Sequence, residues 1–208
     1  MSSLRHNPGP VERDPVAAAR TSRDDYLDAA RSLILDVGWK RTTLTEVARR
    51  AGVSRMTIYR TWPDMERLLG DLMTREWGAV VATVAQLDND EHGWVDRLVD
   101  GVSDTVIALR DNELFRRIVD VDPEMLLPYL LDRRGRSQDA IIAILRDRIA
   151  QGQRDGAVRA GDPLLLARSL LLLAHGQALS VHTMTDDTIT TGDLDQEFRT
   201  VLRRALQP

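Results

Sequence analysis

Between Thr43 and Trp62 the chain reads TLTEVARRAGVSRMTIYRTW, and no other stretch narrows its folding options so far. Thr43 and Ser54 each stand immediately before an apolar pattern of helical period, where a side-chain oxygen can satisfy an otherwise orphaned N–H. Glu46 follows Thr43 by three residues, the spacing of a capping box. Gly52 separates the two patterns and supplies the backbone freedom of a tight turn. Leu44, Val47, Ala48 and Ala51 form the inner side of the first helix, and Ala48 is small enough for two helices to cross closely there. Val47, Ala51, Val53 and Ile58 fill the space between them. Two short helices joined by a turn containing glycine predict a helix-turn-helix, a unit that sets its second helix in the major groove of DNA. The competing reading is a plain helical hairpin with no nucleic-acid partner.

The face that such a helix turns outward follows from its period. With Ile58 pointing inward and a step of about 100° per residue, Trp62 falls on the same side and Met56 and Arg60 lie nearly opposite. Thr57 and Tyr59 occupy the flanks, and Arg55 sits in the first turn. Arginine reads guanine bidentately or holds phosphate, threonine and tyrosine hydroxyls reach phosphates, and methionine touches a thymine methyl. Charge agrees with this assignment. Five arginines stand between Arg41 and Trp62 against one acid, Glu46, in a chain of net charge −4. Residues 1–63 hold 11 basic and 7 acidic side chains, a surplus of +4, whereas residues 64–208 hold 17 and 25, a balance of −8. A basic end on an acidic body suits contact with a polyanion.

The run TTLTEVARRAGVSRMTIYRTWPDMERLL resembles the DNA-binding domain of the TetR family of transcriptional regulators. Thr42, Thr43, Ala48, Gly52, Val53, Ser54, Ile58, Tyr59 and Trp62 carry the resemblance, which covers roughly residues 24–72. It implies a helix-turn-helix that grips an operator, followed by a helical domain for ligand binding and dimerisation. Taken with the outward set, the expected DNA-binding residues are Thr43, Thr45, Arg55, Met56, Thr57, Tyr59, Arg60 and Thr61. Met65 occupies the place where the family usually has a phosphate-gripping lysine, so Arg41, Arg60 and Arg67 are the candidates to replace that anchor. Met56 replaces a frequent glycine and Thr61 a frequent aromatic, which points to an operator of different sequence.

Helical periodicity continues along the chain, and no alternating strand pattern of useful length interrupts it. The expected class is therefore all-α. It divides into a disordered arm at 1–20, rich in proline and charge, a helix-turn-helix domain at 21–66, and a helical regulatory domain at 67–208. Expected helices cover Asp24–Val37, the two short ones, a long fourth from Asp64 to about Leu87, then Trp94–Leu109, Glu113–Val121, Glu124–Leu131 bent at Pro128, Ser137–Gln151, 162–184 and Leu194–Leu206. A polar loop is expected at Leu87–Gly93 and a basic one at Arg133–Arg136.

Leucines surround the helix that opens at Asp162-Pro163, and a helix apolar all round needs cover on every side. In one subunit of 208 residues part of that surface lacks an obvious partner, so a homodimer is expected. Its interface would use Leu165, Leu172, Gly176, Leu179, Phe198 and Leu202. The family resemblance agrees, because its final two helices usually pair into a four-helix interface. Trp77, Trp94, Phe115, Met125, Tyr129, His175 and Gln177 are candidates to line an effector site between the middle helices. None is a lysine, arginine or carboxylate, so the expected effector is a small apolar or aromatic molecule.

Other functions find little footing. There is no cysteine for a disulfide or a thiolate site, which fits a cytoplasmic protein. His175 and His182 are seven residues apart, not the three or four of a metal-binding helix pair. No glycine-rich phosphate loop or nucleophile elbow stands out, so no cofactor, metal or catalytic residue is expected. The apolar run Pro163–Leu179, interrupted by Arg168 and His175, reads as too short and too charged to span a bilayer. The first 23 residues have no apolar core of a secretory signal. A protein-interaction module with a vestigial helix-turn-helix, or a small helical enzyme, are the rival readings.

Overall fold

The computed structural model of the chain describes residues 15–86 and 92–208, and these form nine α-helices with no strand among them. Helix α1 spans Pro15–Val37, α2 Leu44–Arg50, α3 Arg55–Thr61 and α4 Met65–Gln86. After the undescribed 87–91 come α5 (Trp94–Asp111), α6 (Glu113–Val121), α7 (Arg136–Arg154), α8 (Pro163–Ser180) and α9 (Thr191–Leu206).

Local chemistry accounts for most boundaries. Gly38 stops α1 with φ +84°, a backbone setting that glycine adopts without a steric cost. Thr43 Oγ1 accepts from the Glu46 N–H at 3.2 Å, and Ser54 Oγ accepts from the Thr57 N–H at 3.2 Å. The expected capping box at Thr43 is only half formed, because the Glu46 carboxylate turns to the Arg49 guanidinium at 2.9 Å. Gly52 makes the turn between α2 and α3 with φ +68°. Asp64 caps α4 through the Arg67 N–H at 2.7 Å, and Asp162 caps α8 through the Leu164 N–H at 2.9 Å.

Several expectations need correction. Helix α1 begins at Pro15, so residues 15–20 are helical and not part of an arm; residues 1–14 lie outside the described residues. Most of the expected 87–93 loop lies outside them too. Helix α5 runs two residues further than expected, and α7 starts at Arg136, which takes that residue out of the basic loop. Helix α9 starts earlier, where Thr190 and Asp193 cap each other reciprocally. The helix expected over Glu124–Leu131 is replaced by a tight 3-10 turn at Pro123–Met125 and a wide turn at Pro128–Asp132. Pro128 has no N–H to continue an α ladder, and the Arg133 N–H reaches back five residues to the Pro128 carbonyl at 2.9 Å.

Two apolar cores organise these helices. The first joins α1, α2 and α3 to the start of α4 and to α6, with Ile34, Val47, Ile58, Trp62, Leu68, Leu72, Leu114 and Ile118 at its centre. The second joins α5, α7, α8 and α9 around Leu98, Val99, Ile149, Ala167, Leu170 and Leu202. Trp77 and Leu126 pack against both. Packing is thus continuous across residue 66, where a domain boundary was expected, because α4 and α6 complete the helix-turn-helix core. Two polar tethers reinforce the join. Buried Asp122 accepts from the Trp39 N–H at 2.7 Å, tying the α1–α2 turn to the end of α6. Asp71 on α4 accepts from Trp62 Nε1 at 2.6 Å and pairs with Arg23 of α1 and Arg136 of α7.

Helix α8 and its short extension make one helical stretch, Pro163–Met184, of 22 residues. By length and composition it is long and apolar enough to cross a membrane, which corrects the expectation that the run is too short. Its Leu166, Ala167, Leu170 and Ala178 are nevertheless packed into the second core.

Candidate nucleic-acid interface and internal cavity

Helix α3 is held by its inward side and leaves the other side open. Ile58 is fully buried, and Trp62 at its end is clamped by the Asp71 carboxylate, by the edge of Tyr26 and by the Arg23 guanidinium 5.4 Å from its ring centre. On the opposite side Met56 is 76% exposed and Tyr59 46% exposed, beside exposed Arg55 and Arg60. Ser54, Met56, Thr57, Tyr59 and Arg60 line one shallow concavity there. The helical-wheel placement is therefore the observed one. Thr57 and Thr61 are half-buried and already engaged: Thr57 shares a 2.9 Å hydrogen bond with Ser54, and Thr61 donates to the Thr57 carbonyl at 3.0 Å. Thr43 is exposed at the start of α2 and Thr45 half-buried on it.

The arginine surplus divides in two. Arg49 pairs with Glu46, and Arg50 with Asp36 and Ser32, so both are neutralised within the fold. Arg41, Arg55 and Arg60 are exposed and make no ion pair or side-chain hydrogen bond among the described residues, and Arg55 and Arg60 stand on the open helix α3. A guanidinium without an internal partner keeps its five donors for an incoming phosphate or base edge. Met65 is half-buried against the first core and presents no charge, while exposed Arg67 is held only loosely by Asp64 at 3.9 Å.

A cavity of about 1080 Å³ runs between α4, α5, α7 and α8. Trp77, Val81, Val102, Val106, Phe115, Leu145 and Leu171 make its apolar waist. Trp77 and Phe115 meet edge to face at 5.7 Å. One end reaches Trp62 and Asp71, at the junction with the helix-turn-helix. Of the expected lining residues, Trp77, Phe115, Tyr129 and His175 do face this cavity. Trp94, Met125 and Gln177 do not. Trp94 bonds Asp155 at 2.6 Å over the buried Gly152, Met125 belongs to the first core, and Gln177 donates to Asp195 at 2.9 Å. Leucines, valines and Gln138 do much of the lining instead. A sequence pattern marks them as core and gives no sign that the core is hollow.

Charged groups that the sequence did not flag also border the cavity. Arg133 pairs with Glu66 and stacks 5.4 Å from the Tyr129 ring centre. Burial opposes ionisation of Asp71, yet hydrogen bonds from Trp62, Arg136 and Arg23 together hold its carboxyl below the ordinary value. Burial pushes the His175 imidazole below its ordinary value, which favours its neutral form.

Leu165, Leu172 and exposed Gly176 lie on the outer side of α8, with Leu165 62% and Leu172 71% exposed, and Leu179 is half-buried. Phe198 and Leu202 of α9 do not share that surface. Both are buried in the second core, so their expected place at an interface is corrected; Val201, 43% exposed, is the outward apolar residue there.

Residues 27–72 match the bacterial regulatory proteins of the tetR family. Over 148 residues the chain is 38% identical to an uncharacterised HTH-type transcriptional regulator of Mycobacterium bovis, covering 71% of this chain and 75% of that one. Over 104 residues it is 36% identical to the HTH-type transcriptional regulator AlkX of Mycobacterium tuberculosis, covering 49% of each. Among solved structures it is similar to RolR in complex with resorcinol, with TM-score 0.66, 15% identity and 92% and 90% of the two chains covered. It is likewise similar to the fatty acid degradation regulator FadR from Bacillus halodurans, with TM-score 0.63, 18% identity and 92% and 96% covered. At those identities the likeness is one of fold.

Proposed function

The chain belongs to the TetR family of bacterial regulatory proteins and is a DNA-binding transcriptional regulator; from that premise we propose that it is a repressor, bound to a near-palindromic operator as a homodimer and released by a small molecule held in the cavity. The observation that carries the DNA-binding role is the open face of α3, where Arg55 and Arg60 have no partner among the described residues and flank exposed Met56 and Tyr59. Arg60, opposite buried Ile58, reads base edges. Tyr59, Thr43, Thr45 and Arg41 reach phosphates, and Thr57 and Thr61 shape the helix more than they read DNA. Arg41 and Arg67 supply the backbone grip that Met65 cannot. Action on an operator places the protein in the cytoplasm, and neither an enzyme nor a protein-only adaptor needs unpaired arginines on this face.

A homodimer through α8 and α9 covers the exposed Leu165 and Leu172 and sets the two recognition helices about 34–36 Å apart, on successive major grooves. Release is a population shift: an effector frees the operator by as much as it prefers the conformation with misplaced recognition helices. A run of contacts supports coupling between the two sites. His175 in the cavity meets Gln138, which holds the Gly135 N–H; the next residue, Arg136, pairs with Asp71, and Asp71 holds Trp62 at the end of α3.

The test is binding to duplex DNA from around the protein's own gene, with operator variants and a salt series. Arg60→Ala should cost about 1–3 kcal/mol and relax preference at one operator position. Tyr59→Phe should weaken all sequences alike, since phosphates carry no sequence information. If Arg60→Ala lowers every affinity by one factor while Tyr59→Phe changes the preferred base, the roles are reversed. If neither matters, α3 is not the reading helix.

A further inference from the structure

One polar side chain lining the cavity, Gln138, has a hydrogen-bonding role set by its neighbours. Gln138 accepts the Gly135 N–H at Oε1, 2.7 Å away, so its amide nitrogen must lie on the other side. That nitrogen donates to the Tyr129 carbonyl at 3.1 Å and meets His175 Nε2 at 3.3 Å. An amide nitrogen only donates, so His175 Nε2 must accept, and the proton of the neutral imidazole sits on Nδ1. Protonating Nε2 would set two N–H groups against each other, which agrees with the depressed basicity that burial already imposes. Nδ1 has no partner among the described residues, and it is not among their sealed, unsatisfied atoms. It therefore stands open on a residue that lines the cavity. An N–H donor left without a protein acceptor on a cavity-lining residue selects for an occupant that brings one.

Most charged groups bordering the cavity are engaged within the fold, with Arg67 held only loosely by Asp64 at 3.9 Å. Asp100 and Asp104 pair with Arg199, Asp71 with Arg136, and Glu66 with Arg133, while Arg97 and Arg148 also have partners. An ionised occupant would lose its hydration and would have to compete with these pairs for its counter-charge.

We propose that the cavity selects a neutral, largely apolar molecule bearing an acceptor oxygen, such as a ketone, ester or quinone carbonyl, which receives the Nδ1–H of His175. This rests on the reading of the cavity as the effector site and adds the chemistry of its occupant.

Three probes of similar size separate the possibilities: naphthalene, acetonaphthone and naphthoate. Each is titrated into the full-length protein by calorimetry, with quenching of the Trp77 region as a second signal. Acetonaphthone should bind about 2- to 10-fold tighter than naphthalene, the range one hydrogen bond supplies, and naphthoate should bind most weakly. His175→Phe should lose the preference and bind the two neutral probes with equal affinity, whatever the change in naphthalene affinity itself. Independently of any ligand, imidazole nitrogen shifts should report the Nδ1–H tautomer for His175. The Nε2–H tautomer, equal affinity for the two neutral probes, tightest binding of naphthoate, or a preference that survives His175→Phe each overturns this inference while leaving the effector cavity intact. Failure of all three probes to bind overturns both together.

Discussion

Leu172→Asp separates the dimer proposal from a simple core helix. Full burial of a leucine yields about 1.5–3 kcal/mol, and 71% of Leu172 remains exposed in the single chain. About 1–2 kcal/mol per copy is therefore still to be gained at an interface. A two-fold axis uses the residue twice, so its loss removes about 2–4 kcal/mol, before the cost of desolvating two carboxylates. At 1.4 kcal/mol per decade, the dimer dissociation constant should rise at least about 30- to 1,000-fold. The folded subunit should lose little, because surface substitutions usually change stability by less than about 0.5 kcal/mol. Leu202→Ala is the contrast: that side chain is fully buried, and truncation should cost about 2–5 kcal/mol of folding stability. Sedimentation velocity at micromolar concentration reads the association and thermal unfolding reads the fold. A stable monomer of the unaltered chain, or a Leu172→Asp variant that stays dimeric while its folding stability falls, would refute an interface through Leu172.

Three further outcomes follow from the junction and the packing. Asp71→Asn should destabilise the chain most near neutral pH. The carboxyl is held below its ordinary value of 3.8, so its contribution is present above that pH and is lost as pH falls through the lower folded value; the gap between the two proteins in urea unfolding should shrink in acid, and a constant gap would contradict it. The same substitution, by loosening Trp62, should change how strongly an effector weakens operator binding, which a DNA titration with and without effector measures. Gly152→Ala should lower Tm despite alanine's better helix propensity, because its Cβ would meet Val158 Cγ2 at 2.5 Å and Trp94 Cβ at 3.2 Å; an overpacking cost of about 1–3 kcal/mol outweighs the gain of about 1, and a raised Tm would show that the contact relaxes freely.

The helix-turn-helix was legible residue by residue because its determinants are local. Thr43, Ser54 and Gly52 act on backbone within four positions, and the 3.6-residue period alone turns Met56 and Arg60 away from Ile58. The same locality explains the accurate reading of the caps Asp64 and Asp162, and of α8 as a helix with an unmet apolar side. What tertiary structure decided depends on partners distant in sequence. Nothing near Arg50 or Arg55 tells which one finds an acid; Asp36 meets Arg50 across 14 residues, and no acid among the described residues reaches Arg55. Phe198 and Leu172 are both apolar positions on amphipathic or apolar helices, and only the placement of α5 and α7 buries the first and exposes the second. An apolar pattern says that a side chain leaves water, not whether the space it enters is filled. The cavity, the Asp71 junction linking α1, α3, α4 and α7, and the proton position on His175 therefore arise only when helices more than thirty residues apart close on one another.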